Sequence, residues 1–190
     1  MRPTVIDEKT LNDLAIELVR QPRAPLNELA KSVHISRTTL YRFSRTREEL
    51  IDRLRKFCAS KLGNAAEAAS APSLDTPTAF RLLIEGHLAH KEASAFLLSY
   101  WHAPGGPDSV PDPEWTNYEL AMERFFVKGQ REGAFRADAS TICLVDVFSF
   151  VVAGMADSAL AGRVQSEGLE KILESILLSG MATPLAQYRE

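Results

Sequence analysis

Apolar residues recur at intervals of three and four along almost the whole chain, and no segment alternates apolar and polar positions as a half-buried strand would. The pattern predicts an all-α protein. Leu11, Leu14, Ala15, Leu18 and Val19 mark a first amphipathic helix that Gln21-Pro22 stops. Leu26, Leu29 and Ala30 mark a second, with Pro25 suited to its first turn. His34 falls at the turn that follows. Ser36 is a good N-cap for a third helix, whose Leu40 and Phe43 face inward. Thr46 with Glu49 has the form of a capping box and opens a fourth helix carrying Leu50, Leu54, Phe57, Cys58 and Leu62.

Beyond that helix an alanine-rich stretch runs to Pro72, so a domain boundary is expected near residues 63–75, with a head over 1–62 and a body over 63–190. Thr76-Pro77 reads as an N-cap and first helical residue, opening a helix towards Lys91, and a shorter helix is expected around residues 93–102. Four prolines and two glycines in residues 102–113 make the longest loop. Asp112-Pro113 restarts a helix with Trp115, Tyr118, Met122, Phe125 and Phe126 on one face; Gly133 suits its C-cap and Asp138 can cap the next. From Ile142 to Leu160 the chain is apolar nearly all round, apart from Asp146, Ser149 and Asp157. A body of about five helices covers one side of such a helix more easily than two. A twofold contact between copies is therefore expected, built from Leu144, Val147, Phe148, Val151 and Met155 with Ile172 and Ile176 of the last helix.

Two short helices joined by a tight turn, the second rich in cations and hydroxyls, form a helix-turn-helix and point to duplex DNA. Arg37, Thr38, Thr39, Tyr41, Arg42, Arg45 and Arg47 are the candidate contacts: arginine forks pair with guanine or phosphate, and hydroxyls bond phosphate oxygens. The net charge of -3 looks adverse until it is divided. Residues 1–60 hold 12 Lys and Arg against 8 Asp and Glu, whereas residues 61–190 hold 10 against 17. A basic head on an acidic body directs the head towards nucleic acid. No nucleophile elbow or glycine-rich phosphate loop organises the available Ser, His and Asp, so an enzyme is not expected and no cofactor is called for. His87 and His90 share a helix face, with His102 and Cys143 elsewhere, but no metal-ligand spacing accompanies them and no metal is expected. The two cysteines, Cys58 and Cys143, are read as reduced, core-filling thiols. The start MRPTVIDEKT lacks the apolar core of a secretory signal, and a cytoplasmic location with no membrane partner is expected.

The run Leu29-Ala30, Ile35-Ser36, Leu40-Tyr41-Arg42 and Arg47-Glu48-Glu49-Leu50 resembles the DNA-binding domain of TetR-type transcriptional regulators. His34 stands where that family usually has glycine, and Phe43-Ser44 where it has an aromatic or histidine followed by phenylalanine. Pro25 replaces a frequent phosphate-binding threonine. The resemblance implies a helical C-terminal domain that dimerises through its last two helices and binds a small-molecule effector, and Gln130 to Arg136 looks like the turn that precedes those helices. Candidate pocket residues are His87, Tyr100, Trp101, His102, Trp115, Tyr118, Met122 and Phe126, which include the aromatics flanking the long loop. The expected function is a homodimeric regulator, a repressor released from a palindromic operator by an effector. A helical enzyme, or a helix-turn-helix module that binds protein without sensing a ligand, are the alternatives.

Overall fold

The computed structural model of the chain describes residues 6–100 and 112–182. These fold as nine helices: α1 Glu8–Arg20, α2 Leu26–Ser32, α3 Arg37–Phe43, α4 Arg47–Ala69, α5 Thr76–Ala89, α6 Lys91–Tyr100, α7 Pro113–Arg131, α8 Thr141–Leu160 and α9 Leu169–Met181. The only β feature among the described residues is one isolated bridge between Phe135 and Ala182.

Short polar side chains start most helices by accepting from otherwise unpaired N–H groups. Asp7 accepts from Thr10 N at 2.7 Å and Ser36 from Thr39 N at 3.0 Å. Two starts differ from the sequence expectation by one or two residues. Asp75, not Thr76, caps α5 through Thr78 N at 2.8 Å, leaving Thr76 in the first turn to donate to Glu132. Ser140 caps α8, because Asp138 is held instead by Arg136 at 2.7 Å.

The alanine-rich stretch near the expected boundary is helical. It continues α4 to Ala69, with Ala66 and Ala69 buried, and the chain breaks only at residues 70–75. Small side chains are required there because α5 lies close: a Cβ built on Gly86 would sit 2.7 Å from that of Ala65. Helix α4 therefore ties the head to the body and packs chiefly on α7, while α1 lies on α6 and α6 on α8. One continuous core results, running from Leu14 and Leu18 through Leu54 and Leu62 to Phe80, Phe96 and Leu173. At its centre Phe80 meets Phe125, Phe126, Phe135 and Phe148 with ring centroids 5.4 to 6.5 Å apart. Burying each such ring stabilises the fold by about 1.5–3 kcal/mol.

Helix α8 turns out to have two faces. Leu144, Phe148, Val152 and Ala156 point into the body's own core, so Leu144 and Phe148 are not available to a second copy. Val151 and Met155 are half-buried against the same core. The outward residues are Ile142 (68% exposed), Val147 and Phe150, and on α9 Ile172 and Ile176 (58%). Cys143 is exposed on α8 rather than core-filling, whereas Cys58 is buried and its thiol is pushed up by desolvation. By length and composition alone α8 could cross a bilayer, but here its inner face packs on α6, α7 and α5.

Candidate nucleic-acid interface

Helices α2 and α3 meet through Leu29, Ala30 and Leu40, all fully buried. The turn between them closes with Ile35 N donating to Ala30 O at 3.0 Å, and it needs a left-handed residue, which His34 supplies at φ 58°. A non-glycine residue adopts that conformation at a cost, and histidine does so more readily than a β-branched one. Arg37, Thr38, Tyr41, Arg42 and Arg45 stand exposed on and just after α3. The side chains of Arg37, Thr38, Tyr41 and Arg42 make no hydrogen bond or ion pair with another described residue. Thr39 is half-buried, its hydroxyl 2.8 Å from that of the capping Ser36. The surface thus offers two unpaired guanidinium forks and two hydroxyls on one short helix.

Behind α3 the capping box is shifted. Thr46 accepts from Glu49 N at 3.1 Å, but Glu49 reaches back to Arg45 N at 2.8 Å rather than to Thr46 N. That bond, with the Arg53 guanidinium 2.9 Å away, lowers the Glu49 carboxyl below its usual range. Arg53 also lies over the Phe43 ring, 5.0 Å from its centroid. Ser44, where the sequence lacks a large aromatic, is buried with a hydroxyl that finds no partner among the described residues.

Arg47 departs from the sequence reading. Its guanidinium donates to the Pro22 carbonyl and, at 3.2 Å, to the Tyr100 hydroxyl, so it faces the protein rather than the α3 surface. Tyr100, expected in a pocket, in turn donates to Leu18 O at 3.1 Å and stacks on Phe96 with centroids 4.7 Å apart. The two residues form a junction of α1 and α4 with α6. Their separation of 53 positions left no signal of this in the sequence.

Of the other pocket candidates, His87 and Tyr118 come together. His87 Nδ1 lies 2.8 Å from Leu83 O, and since a carbonyl only accepts, Nδ1 carries the hydrogen. Nε2 then accepts from the Tyr118 hydroxyl at 3.2 Å. Burial holds His87 down to about 4 and pushes Tyr118 up to about 12, so both are uncharged near neutral pH. Trp115 is half-buried, edge-on to Tyr118 at 5.8 Å with Arg55 over its ring. Met122 borders an open cleft of about 300 Å³ between α7 and α8. Phe126 is not a pocket wall: the aromatic cluster encloses it. Trp101 and His102 lie outside the described residues. Ser149, read as part of a polar stripe, is instead buried beside Tyr118, which a helix apolar nearly all round gave no means to orient.

No protein-family model matches the chain. It is 33% identical over 183 residues to the HTH-type transcriptional regulator NfxB of Pseudomonas aeruginosa, covering 94% of this chain and 95% of that one. Its fold resembles that of the TetR-like regulator LfrR of Mycobacterium smegmatis, solved in complex with proflavine, with a TM-score of 0.67 at 21% identity over 93% and 96% of the two chains. The TetR-family regulators of Marinobacter aquaeolei VT8 and PfmR of Thermus thermophilus each give a TM-score of 0.65, at 14% and 17% identity. The first covers 92% of this chain and 94% of its own, the second 91% and 98%.

Proposed function

The chain belongs to the TetR family of helix-turn-helix transcriptional regulators, and on that premise we propose that it is a cytoplasmic, homodimeric repressor that a small molecule releases from a twofold operator. The head, residues 1–62, docks α3 in the major groove. Arg37, Thr38, Tyr41 and Arg42 are its contacts, with Arg45 at the phosphates and Thr39 holding the cap. The body, residues 63–190, dimerises through the outward residues of α8 and α9, Val147, Ile172 and Ile176 among them, which are too apolar to remain exposed together. That LfrR binds a small molecule supports the same for this chain.

The observation that carries the release mechanism is the Arg47–Tyr100–Leu18 junction. It fixes α6 of the body to α1 and α4 of the head by directional bonds, so a ligand that displaces α6 repositions the head. Release then equals the ligand's differential affinity for the two head positions, typically about 5–150-fold. Selection from random duplexes with the whole protein tests the reading. It should enrich a sequence with twofold symmetry, and a compound library should contain molecules that weaken binding to it. Tyr100→Phe should keep the duplex preference and reduce the response. Enrichment of nothing, or of an unsymmetric site by a monomer, would overturn the proposal.

A further inference from the structure

Helices α4 to α8 close around a small cavity lined by Leu62, Leu97 and Ala153 together with His87, Tyr118 and Ser149. It has room for a single water, about 10 Å³. Ser149 is only 6% exposed, and its hydroxyl lies beside Tyr118 without a hydrogen bond of acceptable geometry to any described residue. A buried hydroxyl whose only polar neighbour, Tyr118, is poorly aligned with it is uncommon, and a group placed in the cavity would complete its bonding. The nearby Ser94 is already satisfied, donating to His87 O at 3.0 Å.

The hydrogen directions define what that group is. His87 Nδ1–H points to Leu83 O, so the Tyr118 hydrogen points to His87 Nε2 and the Tyr118 oxygen faces the cavity with lone pairs only. Ser149 can donate. One hydroxyl placed between them accepts from Ser149 and donates to Tyr118, completing a run in which every hydrogen points the same way, from Ser149 to the Leu83 carbonyl. Charge is excluded by the lining, which contains no Lys, Arg, Asp or Glu among the described residues, and an ion there would lose its hydration with no counter-charge in return. The outer wall consists of Leu98, half-buried, and Phe150, exposed on α8. An apolar body attached to that hydroxyl would lie against Leu98 and Phe150, outside the aromatic core.

We propose that this cavity is the polar anchor of the effector site, and that its ligand is an uncharged apolar molecule carrying a hydroxyl, a phenol or an alcohol. The proposal rests on the reading of the body as a ligand sensor and narrows it to one chemical class.

Isothermal titration of the whole protein with 4-propylphenol, 4-propylanisole, 4-propylbenzoate and 4-propylbenzylammonium tests it. The phenol should bind, and the anisole, which cannot donate, should bind about tenfold more weakly, as one lost hydrogen bond implies. The two charged analogues should be weaker still. In Ser149→Ala and Tyr118→Phe, both with wild-type circular dichroism, the preference for phenol over anisole should fall to about twofold or less. Equal binding of phenol and anisole to the wild type, or tighter binding of a charged analogue, would overturn the proposal. Phenol binding that is unchanged in both variants would place the ligand elsewhere and leave the sensing reading intact. If none of the four binds and Ser149→Ala merely raises the melting temperature, the cavity holds water only and the proposal is lost; the sensing reading is then decided separately by the operator-release screen.

Discussion

His87 makes the stability of this protein depend on pH in a window where carboxylates contribute little. The folded chain holds it neutral, at about 4 against an ordinary 6.5, chiefly because burial desolvates the charged form. The sign follows from which state takes up the proton first. Below 6.5 the unfolded chain binds a proton that the folded chain refuses, so the full stability is present above that pH and declines as pH falls towards 4. Each unit of separation is worth about 1.4 kcal/mol, which gives roughly 3 kcal/mol in total and about 2 kcal/mol between about pH 7 and about pH 5. Urea unfolding at those two pH values, at fixed protein concentration because association would couple to folding, measures the loss. His87→Gln is the reference, since its amide N–H can donate to Leu83 O and its carbonyl can accept from Tyr118. The wild type should lose about 2 kcal/mol more than the variant. Asp7, Asp75 and Asp138, whose carboxyls are held below their usual range, titrate lower and subtract out. Equal losses in the two proteins would refute the assignment of a neutral, buried His87.

On the duplex recovered by selection, Arg42→Ala should cost about 1–3 kcal/mol and relax discrimination at one position per half-site, read by mobility shift. Arg47→Ala should leave the salt dependence of DNA binding unchanged, since its guanidinium is bound to Pro22 and Tyr100; a shallower slope would return it to the phosphate contacts. Ile176→Asp should keep the helical spectrum, because the residue is exposed in one protomer, and should sediment as a monomer; a persisting dimer would place the interface elsewhere. Ser44→Ala removes a buried hydroxyl with no partner among the described residues and should leave the melting temperature unchanged or raise it by the equivalent of about 1 kcal/mol, so a clear loss would mean that the hydroxyl is satisfied after all.

The helical class, the helix-turn-helix and most helix starts were readable in the sequence because they depend on neighbours three or four residues apart. Ser36 capping α3, the left-handed His34 and the inward Leu40 are of that kind. So is the exposed row Arg37, Thr38, Tyr41 and Arg42, since a helix with one clear apolar stripe has one clear outer face. Where the apolar signal surrounds the helix, periodicity cannot orient it, and α8 shows the consequence. Only its packing against α6 and α7 decided that Leu144 and Phe148 turn inward while Val147 and Phe150 face out, and it carried Ser149 into the core beside Tyr118. Contacts between distant positions were likewise invisible. Arg47 looked like a phosphate ligand by its place at the start of α4, and Tyr100 like a pocket aromatic by its place near a loop. The tertiary fold brings α1, α4 and α6 together, and a partly buried guanidinium must find acceptors wherever the fold supplies them. Local spacing therefore determined the surface proposed for DNA, and the meeting of helices far apart in the chain determined how the body is joined to it.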